Sequence, residues 1–181
     1  MARPNDWSRE VRQKAVESDV SPLKQLQKRY LGGLRERLLG MKGPVRPQMP
    51  LPQHWANFSI GRSGVWLQSA VTSRGKWISA SLEVQGPPGK SSYYALLNQR
   101  AAIEVELGLP LEWEELPSRK VSRAALYRRN CDFHNETEWA AKHEWLADSI
   151  NRLHRVFRDR VRALNGTGFA SDDGEAAEII D

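Results

Sequence analysis

The chain has 181 residues, of which 40% are hydrophobic and 27% are charged, as in an ordinary soluble globular protein. No apolar run approaches the roughly 20 residues that a membrane-spanning helix needs, and the first ten residues lack the apolar core of a secretory signal. Cys131 is the single cysteine, which excludes an internal disulfide or a cysteine-rich zinc site. We therefore expect a cytoplasmic protein with no membrane partner.

The net charge of +5 is unevenly distributed along the chain. Residues 1–164 hold all 27 lysines and arginines and 17 of the 22 acidic residues, a net charge of +10. Such a basic body favours polyanionic partners such as nucleic acid, although the same charge can serve solubility alone. The sequence predicts a polar extension over residues 1–20, a single domain over residues 21–164, and an acidic, disordered tail over residues 165–181.

The first predicted helix begins with Ser21 as its N-cap and Pro22 at its first position. Gly32 and Gly33 interrupt its apolar stripe, so they either bend the helix or admit a close neighbour. Gly40 is a suitable helix end. The segment that follows contains prolines at positions 44, 47, 50 and 52, which predict an extended connector.

The hydrophobic period then changes to two, which indicates strands. The stretches "VWLQSAV" and "WISASLEV" predict a hairpin with Gly75 in its turn, and a third strand is expected around Asn57–Ile60. In the second stretch, alternate residues from Ile78 to Val84 should face the core. The intervening residues, which include Glu83, should face outwards or towards another element.

Ser91 is the predicted cap of a helix that continues to Leu107. Two extended segments follow, over 111–116 and 121–128, and a long amphipathic helix is predicted from Glu136 to Leu164. This order predicts an α+β fold: an antiparallel or mixed sheet of about five strands, with helices packed on one face and a long C-terminal helix.

Metal-dependent cleavage by restriction-type nucleases requires a characteristic pattern of acids and lysines. Their strands place an acidic residue two positions before a lysine, so that the acid holds Mg²⁺ and the lysine steadies the developing charge. None of the eight lysines has an acid at that spacing. Without paired cysteines or an HxxxH spacing, zinc is not expected either. No catalytic residue, metal site or cofactor is therefore predicted.

The stretch "LEWEELPSRK", residues 111–120, concentrates acids beside bases. If Trp113 faces the core, Glu112 and Glu114 project together from the opposite face of the strand. Together with Glu83, they could serve a cryptic metal-dependent hydrolase. The alternative is structural: Glu112 and Glu114 form cross-strand pairs with Arg119, Arg123 or Arg128, or face water.

Arginines and tryptophans provide the candidates for nucleic-acid binding. A row of arginines lies off the apolar stripe of the last helix, where it could follow a phosphate backbone or favour the helix C-terminus electrostatically. The two tryptophans of the predicted hairpin could stack bases if they are neighbours on an exposed face, or could be covered by helices. The predicted binding residues are Arg119, Arg123, Arg128, Arg152, Arg155, Arg158, Arg162, Trp66 and Trp77.

Four segments together resemble a bacterial family called domain of unknown function 4268: "KQLQKRYLGGLRERL", "PQHWANFSIGRSG", "YYALLNQRAAIEVELGLPLEWEELPSRKVSRAALYR" and "EWAAKHEWLADSINRLHRVFRDRVRAL". The resemblance covers most of the chain, from Leu23 to Leu164. It implies an association with DNA handling or defence, because such domains occur alone or behind a restriction-endonuclease-like domain. It supplies no catalytic residues. The residues that carry it include Ile103, Glu104, Trp113, Pro117, Arg123 and Trp145.

Three functional hypotheses follow. The first is a non-catalytic module that binds nucleic acid or assists a partner nuclease, as an accessory to DNA handling or phage defence. The second is a protein-interaction module or homodimer that uses the tryptophan-rich sheet or the last helix. The third is the metal-dependent hydrolase with Glu83, Glu112 and Glu114.

Overall fold

The computed structural model describes residues 21–116 and 120–164. The predicted extension over residues 1–20 and the predicted tail over residues 165–181 lie outside the described residues, as does Arg119. The elements in chain order are α1 (Pro22–Gly40), β1 (Trp55–Arg62), β2 (Val65–Val71), β3 (Trp77–Gln85), α2 (Pro87–Leu97), α3 (Arg100–Leu107), β4 (Glu112–Glu114), β5 (Val121–Arg129) and α4 (Trp139–Ala163).

The five strands form one sheet in the order β1-β2-β3-β5-β4, and every neighbouring pair is antiparallel. This confirms the predicted α+β class and selects the antiparallel form of the sheet. Hairpin connections join β1 to β2 and β2 to β3, while α2 and α3 lie between β3 and β4 in the chain.

Two adjacent rows of residues across the sheet show how its faces differ. One row, Phe58, Leu67, Leu82, Ala124 and Trp113, belongs to or packs against the hydrophobic core. Successive side chains on a strand point to opposite faces. The next row therefore lies on the other face, and it consists of Ser59, Trp66, Glu83, Arg123 and Glu114. We call this second set the polar row.

The helices cover the apolar face of the sheet. The helix α4 contacts β1, β2 and β3, while α1 and α3 pack against α4. The buried core residues of α4 include Leu146, Ile150, Leu153 and Phe157, which are part of the stripe that predicted this helix. In the described part of the chain, no helix is both long enough and apolar enough to cross a membrane.

An aromatic cluster joins α1 to the start of α4. The fully buried Tyr30 ring lies edge-on to Phe133 at 5.9 Å and to Trp139 at 5.2 Å between centroids. Its centroid is 4.5 Å from that of His143. A methyl group built on Gly33 would lie 2.9 Å from His143 Nδ1. Gly33 therefore admits a close neighbour, one of the two roles considered for this glycine pair.

The segment between β3 and β4 differs from its prediction in two ways. It contains two helices, α2 and α3, where the sequence predicted one. The first begins at Pro87 rather than Ser91, because proline is tolerated at the first positions of a helix, where its missing N–H has no intrahelical partner. Asn98 still has right-handed helical backbone angles, and the chain departs from them at Gln99, before α3 begins.

Candidate nucleic-acid interface

Three exposed arginines form one line on the C-terminal half of α4. Arg155, Arg158 and Arg162 are spaced by three and four residues, so they lie on one side of the helix. The line is about 10 Å long at the helical rise per residue. All three side chains are exposed, and none forms an ion pair with another described residue. We call these three residues the basic stripe.

The connector after α1 carries two further bases close to the point where it contacts α4. Asn151 lies on the same side of α4, one turn before Arg155, and Gly43 packs directly on the Asn151 side chain. The exposed Lys42 and Arg46 flank this glycine, and Arg46 Nη1 donates a hydrogen bond of 2.9 Å to the Gly43 carbonyl. Neither residue has an ion-pair partner among the described residues. Together with the stripe they form what we call the basic surface.

The pKa of His154 is affected by charges of the stripe. Burial lowers the pKa of its imidazole, and the positive charges of Arg158 and Arg162 lower that pKa further. The residue as a whole is 8% exposed. Two charges of the basic stripe therefore act on an imidazole whose titration can be followed.

Two further arginines of α4 are neutralised by acids, and the predicted candidate Arg128 bonds to a backbone carbonyl. Arg152 forms an ion pair of 2.8 Å with Asp148, and Arg160 forms one of 2.7 Å with Glu106 on α3. Arg128 lies at the edge of the helix-covered face, where its Nη1 donates to the Ala141 carbonyl at 3.3 Å. Of the predicted candidates that lie within the described residues, only those of the basic stripe combine exposure with the absence of an ion-pair partner in that part of the chain.

Arg123 is held inside a buried ion network on the opposite face of the sheet. Its side chain is 10% exposed, and the side chain of Glu83 is 2% exposed. Arg123 Nε lies 3.3 Å from Glu83 Oε1 and 4.0 Å from Glu114 Oε2. Burial opposes the charge on the guanidinium, but the effects of Glu83, Tyr127 and Glu114 together outweigh it, so the pKa of Arg123 is raised.

The carboxylates around Arg123 have further hydrogen-bond partners. Ser81 Oγ donates to Glu83 Oε1 at 2.6 Å, and the Tyr127 hydroxyl donates to Glu114 Oε1 at 2.7 Å. Burial, and then this contact with Glu114, raises the pKa of Tyr127 to about 12. The tyrosine therefore remains a hydrogen-bond donor at neutral pH, and the network fixes strands β3, β4 and β5 relative to one another.

The three glutamates considered for a hydrolase are divided between two arginines. Glu83 and Glu114 flank Arg123, whereas Glu112 forms an ion pair of 2.7 Å with Arg129. The structural alternative predicted Arg119, Arg123 or Arg128 as partners, and the Glu114–Arg123 pair is among those combinations. Within residues 21–116 and 120–164, no three His, Cys, Asp or Glu residues are arranged to hold a metal ion.

The two tryptophans of the hairpin lie on the same face of the sheet but at opposite ends. Trp66 is opposite Glu83 in the register, whereas Trp77 begins β3, six residues earlier. Six residues of strand correspond to about 20 Å, so the rings are not cross-strand neighbours. Both are partly buried, and Trp77 packs edge-on against Tyr127 at 5.2 Å between centroids.

The stretch "LEWEELPSRK" is attached to α3 through Glu104. Glu104 Oε1 accepts hydrogen bonds from the Leu111 backbone N–H and from Trp113 Nε1, both at 3.1 Å. Burial acts to raise the pKa of Glu104, but these hydrogen bonds and the one from Arg100 outweigh it and lower the pKa. Leu111 and Trp113 therefore hold the described part of this stretch to α3 through hydrogen bonds to Glu104.

Sequence reasoning missed Lys42 and Arg46 as members of the basic surface. Both residues lie near the stripe because Gly43 contacts Asn151. These two contacting residues are more than one hundred positions apart in the chain. The sequence "MKGPVR" does contain two bases around a glycine. No spacing rule, however, connects that pattern with a helix so distant in the chain.

Comparisons with known proteins leave the function open and establish the family. Searches of the curated proteins and of the solved structures gave no match. A family model matches residues 26–161, which is more than half of the chain. This range includes all of the helices and strands described above except the first residues of α1 and the last residues of α4. The chain thus belongs to the family described as Domain of unknown function (DUF4268).

Proposed function

We propose that the protein is a non-catalytic nucleic-acid-binding module that uses the basic surface of Lys42, Arg46, Arg155, Arg158 and Arg162. The observation that carries the proposal is the basic stripe: three exposed guanidinium groups on one helical line, without ion-pair partners among the described residues. Unpaired cations at this density repel one another, and a polyanion relieves that repulsion.

The length and chemistry of the stripe suit a phosphate backbone. Its length of about 10 Å corresponds to about three steps of one strand at 3.4 Å per step in duplex DNA. Guanidinium groups bind phosphate oxygens through two parallel hydrogen bonds. Such contacts position a protein on nucleic acid without reading its sequence, so we expect binding with little sequence preference.

The proposed role is accessory to DNA handling or phage defence. The family resemblance supports this context, since such domains can follow a restriction-endonuclease-like domain. Arg123 and the partly buried Trp66 are not needed for the proposal, because the network with Glu83 and Glu114 already neutralises that arginine.

The test compares two triple variants with equal loss of charge. The stripe variant carries Arg155→Gln, Arg158→Gln and Arg162→Gln, and the control carries Arg29→Gln, Arg37→Gln and Arg129→Gln. The control arginines are exposed and ion-paired with Glu136, Glu144 and Glu112. Binding to fluorescein-labelled duplex DNA, single-stranded DNA and single-stranded RNA is measured by anisotropy from about 50 to about 200 mM salt.

We expect the stripe variant to bind at least tenfold more weakly at low salt than the control. Its slope of log affinity against log salt should fall by about 2.7 for duplex DNA, since each phosphate contact contributes about 0.9. Two results contradict the proposal: no binding of the unmodified protein at low salt, or equal losses in both variants. Equal losses would mean that net charge alone attracts the nucleic acid.

A further inference from the structure

The outer edge of β1 carries backbone groups that none of the other four described strands uses. Within the described residues, β1 pairs only with β2. The Val71 N–H donates to the His54 carbonyl at 2.9 Å, which fixes the alternation of the antiparallel ladder. Residues 54, 56 and 58 consequently bond to β2, and the backbone groups of Trp55, Asn57 and Ser59 point away from the sheet.

One of these outward groups is already occupied. Gln53 Nε2 donates to the Trp55 carbonyl at 3.0 Å, so the ladder is capped at that end. The backbone N–H and C=O groups of Asn57 and Ser59 have no hydrogen-bond partner among the described residues. They form two positions of an unused antiparallel or parallel ladder, which is the template that an added strand requires.

This edge opens into a cavity of about 380 Å³ between β1, α1 and the proline-rich connector. We call the cavity together with the free edge the edge groove. Apolar side chains supply much of its wall: Leu31, Leu34, Pro47, Pro50, Leu51 and Phe58. At its rim, Met49 is 73% exposed and Leu51 is 58% exposed. Such a wall can take the apolar side chains of an extended segment.

The unused polar groups of the edge groove include two buried side-chain donors. Arg35 and Trp66 both line the cavity, and Arg35 Nε and Trp66 Nε1 are buried without a hydrogen-bond partner in the described part of the chain. Arg35 also has no ion pair with another described residue. A buried donor without an acceptor is costly. A ligand that brings a carboxylate to Arg35 and another acceptor to Trp66 would remove that cost.

We propose that the edge groove binds an extended acidic peptide segment of a partner protein, which adds to the sheet as a strand beside β1. The peptide backbone bonds to Asn57 and Ser59, its apolar side chains enter the cavity, and a carboxylate pairs with Arg35. Nucleic acid does not fit as well, because it cannot supply N–H and C=O groups at the spacing of a strand. This inference is independent of the basic surface on α4.

The probe is the fluorescein-labelled peptide Thr-Val-Glu-Val-Glu-Val-Thr, acetylated and amidated at its ends. The matched control peptide has glutamine in place of both glutamates. Arg35→Gln is compared with Lys28→Gln, which removes one charge from an exposed position on the same helix. We expect the control peptide and Arg35→Gln each to weaken binding at least tenfold, and Lys28→Gln to change it less than twofold.

Amide hydrogen exchange tests the added strand directly. Bound peptide should slow exchange at Asn57 and Ser59 at least tenfold, while Phe58, which already bonds to β2, should change little. Unchanged exchange at both amides overturns the proposal. So does protection that rises with protein concentration alone, which would assign the edge to a second copy of this chain. Protection by single-stranded DNA but not by the peptide would assign it to nucleic acid.

Discussion

Arg123 illustrates how the environment of a residue decides its role. From the sequence it was a candidate phosphate contact, but the fold places it between Glu83 and Glu114 with 9% of its surface exposed. Because these two carboxylates already neutralise the guanidinium, Arg123 would attract an external phosphate only weakly. Its position in the polar row favours a role in holding β3, β4 and β5 together.

Replacing Arg123 with methionine should therefore destabilise the fold strongly. Arg123→Met leaves the buried Glu83 without its guanidinium, and breaking a buried pair in this way costs about 3–5 kcal/mol. Arg129→Met is the matched control, because Arg129 lies on the same strand but pairs with Glu112 in solvent. It should cost less than about 1 kcal/mol. Urea unfolding measures both, and equal costs would contradict a structural role for Arg123.

Among the elements, α1 and α4 are the ones that the sequence predicted best. The N-cap of α1 at Ser21, its first residue Pro22 and its end at Gly40 agree with the prediction. These elements carry local signals in caps and apolar periodicity. The break between α2 and α3 at Asn98 and Gln99 has no such signal, because neither residue stops a helix as Gly or Pro does.

The contact between α1 and α4 makes the two adjacent glycines of α1 unequal. A methyl group at Gly32 would meet Pro50 Cγ at 3.9 Å, an ordinary contact, whereas one at Gly33 would overlap the buried His143 ring. Gly32→Ala should stabilise by about 1 kcal/mol through helix propensity. Gly33→Ala has the same gain but adds overpacking of about 1–3 kcal/mol, so it should be the less stable variant.

Thermal unfolding of the two alanine variants checks this order. We expect Gly32→Ala to unfold at a higher temperature than the unmodified protein. Gly33→Ala should unfold at a lower temperature than Gly32→Ala. Similar gains in both variants would mean that the His143 ring can move without cost. The interpretation of Gly33 as the point of close approach between α1 and α4 would then be wrong.

For the whole molecule, the sequence predicted which strand residues leave the core but not what they form together. The alternation in "WISASLEV" correctly separated Ser81 and Glu83 from the apolar positions. The pairing of Glu83 with Arg123 depends on the register between β3 and β5, which local patterns do not specify. For the same reason, the edge groove could not be inferred: it needs α1, the connector and β1 to be placed together.

Two histidines buried on α4 should make the stability of the whole molecule depend on pH. Burial lowers the pKa of His143 against the opposing effects of a Tyr30 backbone hydrogen bond and Glu36, and Lys142 lowers it further. Burial, Arg158 and Arg162 lower the pKa of His154. In the unfolded chain, both imidazoles bind protons as the pH falls through about 6.5. In the folded state their pKa values are lower, so they are still neutral at that pH.

Because the unfolded state binds more protons, stability should be greatest above about pH 6.5 and should fall as the pH decreases below that value. The midpoints of urea unfolding at about pH 8 and about pH 5.5 test this. Ordinary carboxylates titrate below this range, so they should contribute little to the difference. Replacing His154 with glutamine should reduce the difference between the two midpoints, and replacing Arg158 and Arg162 with glutamine should reduce it in part. An unchanged midpoint across this range would mean that both imidazoles keep ordinary pKa values. In that case, the positive potential attributed to the basic surface would not extend to His154.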